Sequence, residues 1–150
     1  MSKSVVGWLW VGGQVVLLVA LAFWPDGDAW GKPAWLLALA GVLFFGGLAL
    51  IAISALGLGT ALTPTPVPTK SGQLTTSGLY KFVRHPIYTG VLAVVAGITL
   101  RSGSWVHVAI AVVTYRYFDR KAAWEEQALR EAYPDYDAYA SGTPKFIPFT

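Results

Sequence analysis

The sequence predicts an all-α integral membrane protein, a bundle of about four transmembrane helices followed by an amphipathic cytoplasmic helix. The chain of 150 residues is 55% hydrophobic and 13% charged, whereas soluble domains average about 25% charged residues. Its apolar residues fall into long uncharged runs. Its seven Trp and seven Tyr suit the aromatic belts found at membrane interfaces. The length fits one domain covering residues 1–150.

The first predicted helix covers residues 5–24, which contain no charged side chain. A bilayer requires roughly 20 apolar residues. The alternative is a cleaved signal peptide, with Lys3 in its basic region and residues 20–22 as a cleavage site. The run exceeds the usual signal-peptide core of about 7–15 residues, and a second apolar run follows it. Both features favour a retained helix.

The second predicted helix begins at Pro33 and ends near residues 56–59, because the prolines at 64, 66 and 68 prevent its continuation. Small side chains along this helix allow close approach of another backbone in lipid. Such residues allow either packing within the bundle or, as the more specific alternative, a homodimer interface. These residues are Gly41, Gly46, Gly47, Ala49, Ala52, Ala55 and Gly59.

Two shorter apolar runs, residues 86–100 and 104–118, predict a helical hairpin joined by a tight turn at 101–103. The second helix of the hairpin continues as an amphipathic segment over residues 119–133. The membrane is therefore expected to end near residues 119–121. The apolar face of the amphipathic segment consists of Phe118, Ala122, Leu129 and Tyr133.

The basic residues are distributed unevenly between the two predicted membrane surfaces. If the chain crosses four times, Lys32 and Arg101 lie on one side and the other nine basic residues lie on the opposite side. By the positive-inside rule, both termini, the loop 70–84 and the active site are cytoplasmic. The nine residues are Lys3, Lys70, Lys81, Arg84, Arg116, Arg120, Lys121, Arg130 and Lys145.

Two polar clusters share this cytoplasmic surface: residues 75–88, and the basic and acidic side chains between positions 116 and 126. Ionisable groups at membrane depth are costly and indicate function by default. The alternative is that the cations only contact lipid phosphates. The chain has no cysteine, and His85 and His107 are too far apart in sequence to indicate a metal site. The expected partners are membrane lipids and a lipid-soluble substrate, with no metal and no nucleic acid.

Both clusters carry motifs of a known family. Residues 77–80 read Ser-Gly-Leu-Tyr, residues 84–90 read Arg-His-Pro-Ile-Tyr-Thr-Gly, and paired glutamates stand at 125–126. The tail adds Tyr-Pro-Asp-Tyr at 133–136 and Thr-Pro-Lys-Phe-Ile-Pro at 143–148. In this order the motifs resemble isoprenylcysteine carboxyl methyltransferases and related phospholipid methyltransferases. The resemblance covers residues 70–148.

The resemblance implies that the protein binds S-adenosylmethionine between the loop and the last two helices. Glu125 is expected to hold the cofactor's ammonium, and a basic residue four positions earlier faces the lipidic acceptor. Independently of the family, a partly buried site must pair both charges of the cofactor's methionine end. The cofactor contacts implied by the resemblance are Gly72, Gln73, Leu74, Thr75, Tyr80, His85, Pro86, Ile87, Tyr88 and Glu125.

One position departs from the family pattern, because Lys121 stands where the family has arginine, with Arg120 beside it. Lysine is a point charge and cannot form arginine's two-pronged contact with a carboxylate. Arg120 and Lys121 are both candidate catalytic residues, and which of them faces the acceptor is open. The absence of an obvious base beside them favours an acceptor that is already ionised, such as a carboxylate.

Three other functions remain open. A phospholipid N-methyltransferase would share the cofactor and the architecture. A sterol-reductase-like enzyme would carry a similar Arg-His-Pro block and use a nicotinamide cofactor, but such chains are much longer. A non-catalytic membrane scaffold is the third alternative.

Overall fold

The computed structural model describes residues 2–59 and 74–147. Within those ranges every regular element is a helix. A 3₁₀ turn, Gly78–Lys81, precedes the third α-helix. The α-helices are α1 (Lys3–Phe23), α2 (Ala34–Leu58), α3 (Pro86–Ser102), α4 (Trp105–Ala132) and α5 (Tyr136–Gly142). The all-α prediction is confirmed, and the boundaries of the first two helices differ from the predicted ones by one or two residues.

Two of these helices, α1 and α2, are long and apolar enough to cross a membrane. Large hydrophobic side chains on both are exposed in the isolated chain, among them Phe45 and Leu56. This is the surface that lipid would cover. Helix α3 is a shorter apolar helix of 17 residues, so a count of four spans stays a prediction.

The strongest contact between helices joins α2 to α3, and glycines make it possible. A Cβ on Gly47 would lie 2.5 Å from the carbonyl oxygen of Gly90, and one on Gly90 would lie 2.7 Å from that of Gly47. Part of the small-residue surface predicted on α2 therefore serves packing within the bundle. A Cβ added to Gly41 or to Gly46 would have nothing within 4 Å in the described chain. A homodimer through α2 stays a prediction.

The α3–α4 connection is tighter than predicted. Helix α3 runs through Ser102, and only Gly103 and Ser104 separate it from α4. The turn closes because Gly103 adopts the left-handed conformation (φ 66°), which costs glycine little. The α1–α2 loop docks here through backbone bonds from Gly27 to Ser102 (2.8 Å) and from Ala29 to Gly103 (2.8 Å). We call this region the turn end of the bundle.

The opposite end brings together the start of α1, the start of α3 and the last part of α4. Lys3 pairs with Glu131 there, which places the first residue of α1 beside the end of α4. Helix α4 runs without a break through the predicted amphipathic segment, and Phe118 and Ala122 are fully buried. The short helix α5, which the sequence did not predict, and the tail then fold back towards α3. We call this region the site end.

Candidate active site

The site end is assembled where α3 begins. Pro86 occupies the first turn of α3, and His85 stands immediately before it. Proline suits this position because the helix needs no amide hydrogen there. The His85 side chain does not cap its own helix. It points instead to the two glutamates of α4, and this brings the two clusters predicted from the sequence into contact.

The second glutamate of the pair is fully neutralised. Oε1 of Glu126 accepts a hydrogen bond from Arg84 Nε (3.0 Å) and lies 3.1 Å from His85 Nε2. The Glu126 side chain is only 5% exposed. Burial alone would raise the pKa of Glu126, but the bonds and charges of His85 and Arg84 outweigh it and lower that pKa to about 2. Glu126 therefore stays ionised at neutral pH and joins α4 to the two residues that precede α3.

The negative charge of the first glutamate, Glu125, is buried but has no basic side chain in close contact. Tyr88 donates its hydroxyl to Oε1 of Glu125, but the nearest cationic atoms lie farther away. His85 Nδ1 is 3.7 Å from Oε2, and Lys121 Nζ is 4.0 Å from Oε1. Burial raises the pKa of Glu125, and the nearby His85, Tyr88 and Lys121 offset that rise only in part. A carboxylate in this state attracts a further cation.

Aromatic rings surround these carboxylates. His85 and Tyr88 stack with centroids 5.4 Å apart and ring planes within 1° of parallel. Tyr88 also packs against Phe118 at 4.8 Å, and Phe146 of the tail lies 6.1 Å from His85. The apolar rings exclude water from Glu125 and keep the local dielectric low, which strengthens every charge interaction there.

Of the two neighbouring cations on α4, one lies in this cluster. The Lys121 side chain is 5% exposed, and its ammonium lies 5.1 Å from the centre of the Tyr88 ring. It donates a hydrogen bond of 2.8 Å to Gln14 Oε1 on α1. Arg120 is exposed, because one residue along a helix turns the side chain by about 100°. The structure thus brings Lys121, and not Arg120, beside Glu125.

The tail fixes the entrance to α3. The backbone amides of Arg84 and His85 donate to the carbonyls of Pro144 (2.9 Å) and Lys145 (3.1 Å). The Arg84 guanidinium also donates to the carbonyls of Ala140 and Thr143. One arginine therefore joins the tail, the entrance to α3 and the glutamate pair of α4.

The remaining predicted cofactor contacts lie around this cluster. Tyr80 is buried in the 3₁₀ turn, and its carbonyl accepts a hydrogen bond from the Tyr139 hydroxyl at 2.5 Å. Burial raises the pKa of Tyr80, and the nearby Tyr139 and Glu125 add to the rise. Pro86 is buried, and Leu74, Thr75 and Ile87 are half-buried. Gly72 and Gln73 lie outside the described residues.

Two contributors to this site were not predicted from the sequence. Gln14 is the one amide side chain of the apolar helix α1. A single polar residue in an apolar helix could have indicated a functional position. The contacts of the tail are formed by backbone atoms and do not depend on side-chain identity, so no sequence pattern could have predicted them. Within residues 2–59 and 74–147, no cluster of three or more His, Cys, Asp or Glu suited to a metal ion is found.

The chain matches one family model and several known proteins. Residues 35–136 match the family described as phospholipid methyltransferase. The chain is 33% identical over 79 residues to protein-S-isoprenylcysteine O-methyltransferase B of Arabidopsis thaliana, covering 51% of this chain and 40% of that protein. It is 31% identical over 81 residues to protein-S-isoprenylcysteine O-methyltransferase of Schizosaccharomyces pombe, covering 53% and 34% respectively.

The fold also has a solved counterpart, the eukaryotic intramembrane Ras methyltransferase isoprenylcysteine carboxyl methyltransferase. The TM-score is 0.71 at 20% sequence identity, over 98% of this chain and 51% of that one. This likeness shows the shared helical fold. The chain spans about half of that protein and two fifths or less of the two relatives above. Since the family match covers more than half of its 150 residues, the chain belongs to the phospholipid methyltransferase family.

Proposed function

We propose that this protein is an integral membrane methyltransferase that uses S-adenosylmethionine and acts on a lipidic acceptor with a carboxylate at its reacting end. The observation that carries the proposal is Glu125, a buried carboxylate that has no nitrogen of a basic side chain closer than 3.7 Å among the described residues. Membership of the family supports methyl transfer as the reaction class.

The residues present fit the cofactor's charges. Glu125 would pair with its ammonium, since that carboxylate needs a cation. The free amides at the start of α3, together with His85, would take its carboxylate. Tyr80 and Tyr88 offer rings for the adenine, and residues 72–75, Pro86 and Ile87 would complete the contacts that the family resemblance implies.

When bound, the cofactor supplies a methyl group on a positively charged sulfur, ready for displacement by a nucleophile. The protein's part is to position the reactants and to exclude water. Alignment of two reactants alone can supply about 7–11 kcal/mol. The rings of Tyr88, Phe118 and Phe146 form an apolar wall that would exclude water.

Lys121 is the residue we assign to the acceptor. Its ammonium is buried, faces the same cluster as Glu125 and is separated from that carboxylate by 4.0 Å. A carboxylate is already ionised at neutral pH and needs no base, so one fixed cation is sufficient to hold it. Arg120, exposed on α4, would instead contact headgroups or solvent.

The test is methyl transfer by the purified full chain in native lipid. Incubation with methyl-labelled S-adenosylmethionine, followed by lipid extraction, should give labelled lipid. S-adenosylhomocysteine should raise the unfolding temperature, with a stabilisation of about 2.7 kcal/mol at a hundred times its Kd. A nicotinamide dinucleotide should not. Stabilisation by the dinucleotide instead would favour the reductase-like alternative, and no response to either ligand would favour the scaffold.

A matched pair of variants tests the acceptor residue. Lys121→Ala should lower turnover strongly while the affinity for S-adenosylhomocysteine stays within about twofold. Arg120→Ala, one residue away and exposed, should retain most of the turnover. Loss of turnover in Arg120→Ala alone would exchange the two assignments.

The family match also favours a second candidate, a phospholipid amine as acceptor. An ammonium must lose a proton before it attacks, so its methylation should rise steeply with pH. Methylation of a carboxylate should be nearly flat from about pH 6.5 to 8.5, because carboxyl groups titrate near 4. The pH profile of the methyl-transfer step separates these two acceptors.

We further propose that the site end is cytoplasmic. Lys32 and Arg101 lie at the turn end, where a Cβ on Gly103 would approach Lys32 and where Arg101 pairs with Asp26. Lys3, Arg84, Lys121 and Arg130 lie at the site end. Reporter fusions after Thr150 and within residues 26–32 should report opposite sides of the membrane. Equal sidedness would contradict this topology.

A further inference from the structure

We infer that Gln14 belongs to the acceptor site, where it and Lys121 together bind the two oxygens of a lipid carboxylate. This inference rests on the proposed function and deepens it. Gln14 is the one amide in an otherwise apolar stretch of α1, and a polar group at that depth is retained only for a reason. It is half-buried, and its contact with Lys121 spans 107 positions of sequence.

The contact with Lys121 fixes which way the amide points. An ammonium can only donate, so the amide oxygen of Gln14 must face Lys121, as the 2.8 Å bond has it. The amide nitrogen on the same carbon has no hydrogen-bond partner among the residues that the structure describes. Among the described residues, the side-chain polar atoms that are both fully enclosed and unpartnered belong to His107 and Tyr136, so the Gln14 amide nitrogen is not fully enclosed. Gln14 therefore presents a free donor beside a buried cation.

Together the two side chains offer what a carboxylate requires. A carboxylate has two acceptor oxygens, which an arginine fork satisfies with two parallel donors. Lysine offers a point charge without a second donor at a fixed spacing. The Gln14 amide nitrogen supplies that second donor next to the Lys121 ammonium. The lysine at position 121 is therefore compatible with carboxylate recognition once Gln14 is included.

The balance of charge favours an anion in the same place. In the free protein, the carboxylate of Glu125 lies 4.0 Å from the Lys121 ammonium. If an ammonium occupies Glu125, the remaining partner of Lys121 at hydrogen-bond distance is the neutral amide of Gln14. A buried ammonium without a counter-charge is strongly destabilised. An anionic acceptor would remove that cost, whereas a cationic or neutral one would not.

The position of Gln14 is set by a close contact between α1 and α4. The Tyr117 hydroxyl donates to the Trp10 carbonyl, and a Cβ on Gly13 would lie 2.4 Å from that hydroxyl oxygen. The helices are therefore held together one turn before Gln14. Val15, one step around α1 from Gln14, is 51% exposed, so the lipid-facing surface of α1 begins beside this contact. An acceptor that diffuses in the bilayer would enter there.

Three variants of the full chain separate recognition from packing. Gln14→Leu keeps the bulk and removes both amide groups. Gln14→Glu keeps the shape and gives Lys121 an internal carboxylate, which competes with that of the acceptor. Val16→Leu is the control, since Val16 lies on the same helix and is exposed. The probes are palmitate and hexadecanol, which have the same chain with and without a carboxylate.

Wild-type protein and Val16→Leu should bind palmitate at least about tenfold more tightly than hexadecanol. Gln14→Leu should weaken that preference, because one of the two donors is lost, and Gln14→Glu should abolish it, because its carboxylate occupies Lys121. In methyl-transfer assays the KM for the extracted acceptor should rise about tenfold in Gln14→Leu, while the affinity for S-adenosylhomocysteine changes less than twofold. Methyl transfer should fall further in Gln14→Glu, although its new ion pair preserves folding. If Gln14 were purely structural, its folded variants would keep the palmitate preference of the wild type.

The outcomes also separate this inference from the function on which it rests. If the wild-type protein transfers no methyl group, the proposed function fails, and the lipid preference still decides the role of Gln14. If methyl transfer is found and both Gln14 variants keep the palmitate preference and the KM, Gln14 only packs and the inference is overturned. If Gln14→Leu does not fold, Gln14→Glu gives the decision.

Discussion

Two arginine–carboxylate pairs at opposite ends of the bundle differ in their exposure to water. At the turn end, Arg101 pairs with Asp26 at 3.2 Å, and their side chains are 61% and 39% exposed. At the site end, Arg84 pairs with Glu126 at 3.0 Å, and those side chains are 14% and 5% exposed. The two pairs have the same chemistry and nearly the same length. They differ in the amount of water removed from them.

That difference shows where the protein needs its charges. An exposed pair contributes little and can be lost without harm. A buried pair is costly to form, and removing one partner leaves a charge without compensation. Within the site end the same contrast recurs between adjacent residues, because Glu126 is saturated by Arg84 and His85 whereas Glu125 is not. We therefore interpret Glu126 as structural and Glu125 as a binding residue.

The largest expected effect is on stability, from Glu126→Gln. This change leaves the Arg84 guanidinium without its carboxylate, and breaking a buried pair costs about 3–5 kcal/mol. Thermal unfolding in detergent, followed by tryptophan fluorescence, measures it. Glu131→Gln is the control, because Glu131 pairs with Lys3 at the surface and should change stability by less than about 1 kcal/mol. Equal effects of the two changes would remove the contrast.

The contribution of Glu126 to stability should depend on pH in the acid range. The pKa of Glu126 is lowered from 4.5 to about 2 in the folded protein. Its ionisation therefore stabilises the fold fully above about pH 4.5, and this contribution disappears as the pH falls towards 2. The stability difference between the wild type and Glu126→Gln should shrink over that window. A difference that stays constant down to about pH 2 would contradict the assignment.

A smaller effect, on affinity rather than folding, is expected from Glu125→Gln. The change keeps the shape and removes the charge that would pair with the cofactor's ammonium. A charged hydrogen bond contributes about 1.5–3 kcal/mol, so the Kd for S-adenosylhomocysteine should rise roughly tenfold to a hundredfold. Calorimetric titration measures it. An unchanged Kd in a folded variant would disprove the role of Glu125.

The helices were largely predictable because runs of apolar residues and helix-breaking prolines determine them locally. The choice between Arg120 and Lys121 was left open by the sequence, and the structure places Lys121, four residues before Glu125, on the same face of α4. The contact between Gln14 and Lys121 was not predictable, because it depends on how α1 crosses α4. The distinct states of Glu125 and Glu126 likewise required the positions of Arg84 and His85, which the tail fixes.

The affinity for S-adenosylhomocysteine should also depend on pH through Glu125. Over the neutral range this effect should be smaller than that of Glu125→Gln. Burial raises the pKa of Glu125 above its ordinary 4.5. Below that raised pKa the carboxyl is protonated, and binding of an ammonium must then release a proton. The affinity for S-adenosylhomocysteine should fall by up to about tenfold per pH unit there. The relevant quantity is the ratio of wild-type to Glu125→Gln affinity, because pH effects of other groups are common to both proteins. This ratio should approach one in acid.

The smallest expected effect is at the turn end, from Arg101→Ala. The Arg101–Asp26 pair is exposed and screened by water, and such pairs contribute about 0–1 kcal/mol. The turn is held without it, by the left-handed Gly103 and by the bond from Trp30 Nε1 to the Leu100 carbonyl (3.0 Å). The unfolding temperature of Arg101→Ala should therefore stay close to that of the wild type, and any small difference should vanish at high salt. A loss as large as that of Glu126→Gln would mean that burial is not what distinguishes the two ends, and Glu125 would then lose its best argument as a binding residue.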